Sequence, residues 1–170
     1  INYLADTSNA NKPLVRFQYS NVLEAFDAVS YQKGGCILNM LRNYVGDSAF
    51  FKSLNLYLSA NKFRSAEAQH LRLAFEEVTG QDLNWFWNQW YYGSGHPELT
   101  ITYDYRDDKA RVIIEQTQAT GKIFKLPVTI DVYNGGAGKK RYKVWVENKT
   151  DTFYFASDKK PSLINVDADK

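Results

Sequence analysis

The sequence predicts an α+β protein in which an N-terminal helical subdomain of about four to five helices precedes a small antiparallel β-sandwich. Apolar residues recur at helical spacing over the first part of the chain. From Pro97 onward they alternate with polar residues, as in half-buried strands. Gly93 and Gly95 separate the two patterns. We therefore expect two domains, residues 1–95 and residues 96–170.

Four helices are predicted by apolar stripes in the first part. Asp47, Ser65 and Asp82 are candidate N-caps, and Gly46 and Gly80 are candidate helix ends. The stripes consist of Ile37, Leu38, Leu41, Tyr44 and Val45; Phe50, Leu54, Tyr57 and Leu58; Leu71, Ala74, Phe75 and Val78; and Leu83, Phe86, Trp87 and Trp90. Short turns between these stripes predict a compact helical cluster.

Six short strands are predicted in the second part. Turn-forming residues lie at 107–109, 134–136 and 148–149, so neighbouring strands are expected to pair as hairpins. The simplest arrangement of such a meander is a small sandwich of two sheets. The strands are expected at 99–105, 112–115, 128–132, 142–146, 152–155 and 163–166.

Composition narrows the possible partners. The 170 residues carry 21 Lys and Arg against 19 Asp and Glu, a net charge of +2, which is too balanced for a general nucleic-acid binder. No apolar stretch approaches the roughly 20 residues needed to span a bilayer. One cysteine leaves no disulfide framework. Because the chain begins with Ile and not Met, we expect it to be part of a longer polypeptide.

The two histidines, His70 and His96, do not suggest a metal site. No Glu follows His70 and no second His lies four residues on, so the H-E-x-x-H pattern is missing from these 170 residues. His96 lies between Gly95 and Pro97 at the predicted domain junction. His70 is therefore expected to be a solvated or partly buried helix residue, and His96 to have a structural role. Together the two histidines are not expected to form a metal site.

Two further patterns favour structure over binding. Residues 134–140 resemble a phosphate-binding loop only superficially, because Tyr133 takes the place of its first Gly and Lys140 that of its Ser or Thr. A hairpin turn is the favoured interpretation. The aromatic residues at 85–92 could form a stacking platform for sugars or bases, but a core role is favoured.

Residues 26–35 read Phe-Asp-Ala-Val-Ser-Tyr-Gln-Lys-Gly-Gly, with Tyr31 heading a Tyr-x-Lys-Gly motif. This segment resembles the Tyr-x-Lys-Gly helix of the aminopeptidase N-type zinc metallopeptidases, the gluzincin aminopeptidases. The resemblance extends over roughly residues 26–103. Its further landmarks include residues 44–46, 56–58, 75–80, 82–83, 86–90 and 95–97.

The resemblance implies a catalytic role for Tyr31. It also implies partners that lie outside this chain. In that family the Tyr donates a hydrogen bond to the oxyanion formed when zinc-activated water attacks a peptide carbonyl. The family's zinc ligands precede this Tyr, so zinc is expected in the parent protein only. The chain would be the C-terminal part of a thermolysin-like catalytic domain followed by the sandwich. Its partners would be the upstream catalytic region and, in the parent, a peptide substrate. Gly34 and Gly35 would permit close helix approach.

Two alternatives remain open at this point. A parent without zinc ligands would make this piece a non-catalytic binding or scaffolding module. A sugar- or peptide-binding sandwich with a helical adaptor is the second alternative. Under the aminopeptidase interpretation the isolated chain is expected to be inactive, and helix surfaces that would face the upstream region are expected to promote self-association.

Overall fold

The protein has the predicted α+β architecture, with helices first and two small antiparallel sheets after them. The computed structural model describes residues 2–135 and 138–169. Contacts within the chain divide it into two compact units, residues 1–95 and residues 96–170. The fold class is therefore confirmed, because the element order changes from helices to strands as predicted.

The described residues of the N-terminal unit form five α-helices. The four predicted stripes correspond to α2–α5, whereas α1 and the turns before α2 have no counterpart in the apolar spacing. No helix in the described part of the chain is long and apolar enough to cross a bilayer. The helices are α1 (Asn2–Ala5), α2 (Gly34–Val45), α3 (Asp47–Ala60), α4 (Ala68–Thr79) and α5 (Asn84–Trp90). Between α1 and α2 lie 3₁₀ turns at Thr7–Asn11 and Val22–Ala25 and a π-helical turn at Val29–Lys33.

Two glycines end helices where the sequence predicted. Gly46 follows α2 with φ 84°, and Gly80 follows α4 with φ 66°. A positive φ is costly for residues that carry a Cβ, which explains why glycine occupies both positions. The N-cap prediction at Asp47 is wrong by one residue. Asp47 already lies in the first turn of α3, and Gly46 is the cap.

The start of α4 shows why the N-cap prediction at Ser65 is wrong. The cap is Glu67, whose backbone N–H donates to His70 Nδ1 at 3.0 Å. The bond between the cap and the residue three positions later determines the helix start. His70 therefore has a local structural role. At α5 the cap is Leu83 and not Asp82, although Asp82 accepts the amide N–H of Asn84 at 2.8 Å.

Helices α3, α4 and α5 meet around Phe75 of α4. The Phe75 side chain is fully buried, and its ring centroid lies 5.5 Å from that of Phe50 in α3 and 6.2 Å from that of Trp87 in α5. Edge and tilted ring contacts of this kind add to the free energy gained from burying apolar area. The core of this unit is therefore largely aromatic.

The aromatic residues of α5 are mostly core, as favoured from the sequence. Trp87 is fully buried, stacks on Tyr91 at 4.8 Å, and donates its indole N–H to the carbonyl of Ala68 at 3.0 Å. Phe86 and Trp90 are also buried. Because these faces are covered, they do not offer a stacking platform for a sugar or a base.

The second unit contains two three-stranded antiparallel sheets within its described residues. Strand order is β1-β2-β5 in one sheet and β4-β3-β6 in the other. The turn predicted at 107–109 connects β1 and β2 but is one residue shorter, because Lys109 already belongs to β2. Asp107 and Asp108 form this turn with φ of 51° and 54°. The strands are β1 (Leu99–Arg106), β2 (Lys109–Gln116), β3 (Leu126–Tyr133), β4 (Lys139–Val146), β5 (Thr150–Ala156) and β6 (Leu163–Val166).

The inner faces of the two sheets form an apolar core. Tyr142 of β4 and Phe155 of β5 stack with ring centroids 4.3 Å apart, which places side chains of the two sheets in direct contact. The alternation along each central strand directs every second residue inward. The buried inward residues include Ala110, Val112 and Ile114 of β2 and Val128, Ile130 and Val132 of β3.

A buried glutamine fixes the connection from β2 to β3. The Gln116 amide nitrogen donates to the carbonyls of Phe124 at 2.7 Å and Asn148 at 3.1 Å. Its amide oxygen accepts from the Phe124 N–H at 2.8 Å and from the Gln118 side chain at 3.1 Å. Because donors and acceptors are paired, burial of this amide costs little. The loop thus has a defined path between the sheets.

The basic run after residue 138 forms ion pairs within the sandwich. Asp131 on β3 is 1% exposed and accepts from Arg141 at 2.7 and 2.8 Å and from Lys139 at 2.8 Å. Arg141 also donates to Asp169, which accepts from the Thr129 hydroxyl. Hydrogen bonds from Arg141 and then Lys139 hold the pKa of Asp131 well below its usual range.

We predict that Asp131 makes the chain sensitive to acid. A carboxyl group with a lowered pKa in the folded state stabilises the fold above its unfolded pKa of about 3.9, and this contribution is lost as the pH falls below that value. Urea unfolding followed by circular dichroism should therefore show a smaller loss of stability between neutral pH and pH ~3 for Asp131→Asn than for the wild type. Asp158→Asn, at an exposed carboxylate, is the control. Equal acid sensitivity of Asp131→Asn and the wild type would contradict the prediction.

Candidate active site

Tyr31 lies in the π-helical turn that leads directly into α2. The Tyr31 N–H donates to the carbonyl of Asp27 at 3.2 Å, and the Gly34 N–H is shared between the carbonyls of Val29 and Tyr31. A π-helical turn is uncommon and often occurs near functional residues. This turn could not be predicted from the sequence, since a single turn is too short to produce a periodic pattern.

The side chain of Tyr31 is open to solvent. It is 65% exposed, and its ring centroid lies 6.3 Å from that of Phe26, with an angle of 36° between the ring planes. Phe26 is itself 65% exposed. The phenol is therefore accessible to another molecule and does not serve as a core residue of this unit.

The two residues after Tyr31 attach the turn to α1. Gln32 accepts the backbone N–H of Tyr3 at 2.8 Å through its side-chain oxygen. Lys33 is 6% exposed, and its ammonium lies 6.0 Å from the centroid of the Tyr3 ring, within reach of a cation–π interaction. Tyr3 is in turn held by Asn9, whose side chain donates to the Tyr3 carbonyl at 3.2 Å.

The segment just before Tyr31 is held by hydrogen bonds from the side chain of Arg16. Arg16 forms a bidentate pair with Asp27, with both N–O distances 2.9 Å. It also donates to the Glu24 carbonyl at 2.9 Å and to the Ser30 hydroxyl at 3.0 Å. Asp27 accepts the backbone N–H of Ser30 at 2.9 Å. We call Arg16, Asp27 and Ser30 the arginine clamp.

The electrostatics of the clamp keep Asp27 ionised. Partial burial raises the pKa of Asp27, but hydrogen bonds from Arg16 and the Ser30 N–H lower it further than burial raises it, so the net shift is downward. Sequence reasoning quoted Asp27 only within the motif and did not single out Arg16. The two partners are 11 positions apart, which is not one of the short helical or strand spacings that bring side chains together.

Within the part of the chain that the structure describes, the other residues considered from the sequence do not form a second binding or metal site. Among residues 2–135 and 138–169, no three His, Cys, Asp or Glu side chains come together to hold a metal ion. In the loop at 134–140, Gly136 and Ala137 lie outside the described residues. Lys139, at its end, pairs with Asp131 as part of the sandwich. His96 is half-buried at the start of the second unit.

A sequence profile described as the peptidase family M1 domain matches residues 2–90, more than half of the chain. The chain belongs to peptidase family M1. The M1 match contains all five helices and Tyr31, and it confirms the resemblance drawn from residues 26–103.

Several relatives of this M1 chain carry the name aminopeptidase. Probable aminopeptidase 2 of Sulfurisphaera tokodaii is 27% identical over 150 residues, which are 85% of this chain and 18% of that protein. Aminopeptidase M1-A of Oryza sativa subsp. japonica is 34% identical over 95 residues, or 56% of this chain and 10% of that protein. The M1 chain thus spans less than a fifth of the length of these relatives.

The fold is also found in a solved structure of an aminopeptidase. Legionella pneumophila aminopeptidase A, solved in complex with aspartic acid, matches this chain with a TM-score of 0.74 at 20% identity. The match covers 93% of this chain and 19% of that one. At this identity the likeness supports the fold alone.

The close approach implied for the two glycines of the motif is not found. A Cβ on Gly34 would lie 3.4 Å from Leu14 Cδ1, an ordinary contact. A Cβ on Gly35 would meet no heavy atom within 4 Å. Among the described residues, therefore, neither position requires glycine for packing.

We predict that Gly35→Ala stabilises the chain. Gly35 lies inside α2 with open space around it, and alanine is favoured over glycine in a helix by about 0.5–1 kcal/mol. Urea denaturation should show the unfolding midpoint of Gly35→Ala above that of the wild type. Gly46→Ala is the matched comparison, and it should be destabilised because φ at Gly46 is 84°. A lower midpoint for Gly35→Ala would show that the space around this residue is not open.

Proposed function

We propose that this chain forms the C-terminal part of the catalytic region of a zinc-dependent aminopeptidase, in which Tyr31 stabilises the transition state of peptide hydrolysis. Membership of family M1 and the names of the relatives support the reaction class. The observation that carries the role of Tyr31 is its combination of an exposed phenol with a turn anchored on both sides.

The chemistry assigned to Tyr31 follows from charge development at the substrate. As water attacks the carbonyl carbon of an N-terminal peptide bond, negative charge grows on the carbonyl oxygen. A phenol already held in place donates a hydrogen bond to that oxygen without further reorganisation. Because Ser30, Gln32 and Lys33 are held by neighbouring residues, the Tyr31 backbone has a defined position from which to present its hydroxyl.

The zinc of this proposal would take its ligands from an upstream region of a longer chain. The described residues of this chain do not fit a zinc site, because no suitable group of His, Cys, Asp and Glu side chains comes together. We propose that the upstream region is the main partner of the N-terminal unit and that the two together bind a peptide substrate.

We predict that Tyr31→Phe in the full-length aminopeptidase lowers kcat by about 10²–10³ with little change in KM, because it removes one hydrogen bond to the oxyanion and leaves the ring. Hydrolysis of an aminoacyl-nitroanilide measures both constants. Tyr154→Phe removes the hydroxyl of an equally exposed tyrosine (62%) and should leave kcat unchanged.

Two results would contradict the proposed function. An unchanged kcat for Tyr31→Phe would remove Tyr31 from the mechanism. Zinc-dependent release of N-terminal amino acids by the isolated 170-residue chain would show that the ligands do not lie upstream. An upstream region without an H-E-x-x-H pattern would instead favour a non-catalytic binding module.

The surface around Tyr31 supports the proposed upstream partner. Six large apolar or aromatic residues are exposed between residues 17 and 31. Because clustered exposed apolar residues often mark an interaction surface, we propose that the upstream region covers them in the longer protein and that the isolated chain self-associates through them. These residues are Phe17 (82% exposed), Tyr19 (62%), Val22 (64%), Leu23 (66%), Phe26 (65%) and Tyr31 (65%).

We predict that Leu23→Asp shifts the isolated chain towards monomer in sedimentation velocity, since a charge in the contact must be desolvated. Leu58→Asp is the matched control, because Leu58 is equally exposed (65%) but lies on α3. A wild-type chain that remains monomeric at the highest soluble concentration would contradict the self-association.

A further inference from the structure

The anchoring of Tyr31 extends through the arginine clamp to the far end of the helical unit. The residue before Arg16, Val15, donates its backbone N–H to the carbonyl of Tyr91 at 2.9 Å, directly after α5. The Tyr91 ring is buried and stacked on Trp87. The backbone next to Arg16 is therefore hydrogen-bonded to a residue of the aromatic core.

The Arg16 side chain connects this part of the backbone to the turn that carries Tyr31. The side chain of Arg16 is only 17% exposed and that of its partner Asp27 is 22% exposed, so solvent screens this ion pair less than it screens a pair on the surface. Four hydrogen bonds run from one guanidinium to Glu24, Asp27 and Ser30, all within seven residues before Tyr31. Lysine could not reproduce this planar, forked arrangement.

The π-helical turn needs such support. Its backbone geometry is less favourable than a continuous α-helix, so the chain has an alternative that would rotate Tyr31 relative to α2. The bond from the Ser30 N–H to Asp27 and the bond from Arg16 to the Ser30 hydroxyl both act on the residue next to Tyr31. Removing them would widen the range of orientations open to the phenol.

We propose that Arg16 is a positioning residue for Tyr31: the arginine clamp holds the π-helical turn so that the Tyr31 hydroxyl is presented in one orientation for the developing oxyanion. This proposal rests on the function proposed above for Tyr31. Arg16 itself does not touch the reacting atoms, so its effect passes through the position of Tyr31 alone.

The test uses the full-length aminopeptidase and measures whether the two residues act as a unit. Arg16→Gln should lower kcat roughly 10- to 100-fold with KM nearly unchanged, since a small misplacement of a catalytic group affects the transition state most. In a Tyr31→Phe background the same substitution should cause no further loss of kcat, because there is no hydroxyl left to position. Arg16→Lys should recover only part of the lost activity.

Arg42→Gln is the matched control. Arg42 forms a bidentate pair with Asp47 at 2.8 Å for both bonds, in the same unit but at the junction of α2 and α3. Loss of the Arg42–Asp47 pair in Arg42→Gln should leave kcat of the full-length aminopeptidase unchanged. Hydrogen exchange of the Ser30 and Tyr31 amides gives a readout that does not depend on activity, and it should be faster in Arg16→Gln than in the wild type or in Arg42→Gln.

The outcomes separate this proposal from the one it rests on. If Tyr31→Phe leaves kcat unchanged, the proposed function fails and the positioning role fails with it. If Tyr31→Phe lowers kcat but Arg16→Gln does not, or if the two losses are additive, only the positioning role is overturned. Unchanged amide exchange in Arg16→Gln also overturns it. If Arg16→Gln lowers the thermal midpoint too far for assay, Arg16→Lys is measured in the same cycle.

Discussion

The ion pair between Arg16 and Asp27 is the interaction on which the geometry around Tyr31 depends. Residues 6–33 form short 3₁₀ and π-helical turns, and their hydrogen bonds are isolated backbone and side-chain contacts instead of a repeated ladder. A helix of many residues spreads its stability over a repeated ladder. Here one guanidinium joins three separate points of the chain, so its removal breaks the contacts to Glu24, Asp27 and Ser30 together.

The helices and strands illustrate what the sequence could predict. α2–α5 were recognised because each has an apolar face that recurs every three or four residues, and β1–β6 because inward and outward residues alternate. The helix caps were predicted less well. At α4 the choice between Ser65 and Glu67 depends on a bond to His70, which composition alone does not specify.

Of the candidate site, Tyr31 was predicted and Arg16 was not, and the apolar spacing that predicted the helices and strands was not the reason. Tyr31 came from the resemblance to a family motif, not from periodicity or chemistry alone. Arg16 was missed because its partners are distant in sequence and because Val15 is fixed by Tyr91, a contact made only when the chain has folded. Similarly, the buried Gln116 has no signature in the sequence, since its role depends on four hydrogen bonds with three residues that meet at one amide only after folding.

The uneven construction of the N-terminal unit has a consequence for its local stability. The aromatic core of α3, α4 and α5 is cooperative, whereas the segment that precedes α2 is retained by a few isolated attachments at Tyr3, Val15 and Arg16. Such a segment opens at a lower free energy than the global unfolding free energy. The peptide bonds near residues 17–26 should thus be the first to become substrates for a protease, while the helical core is still folded.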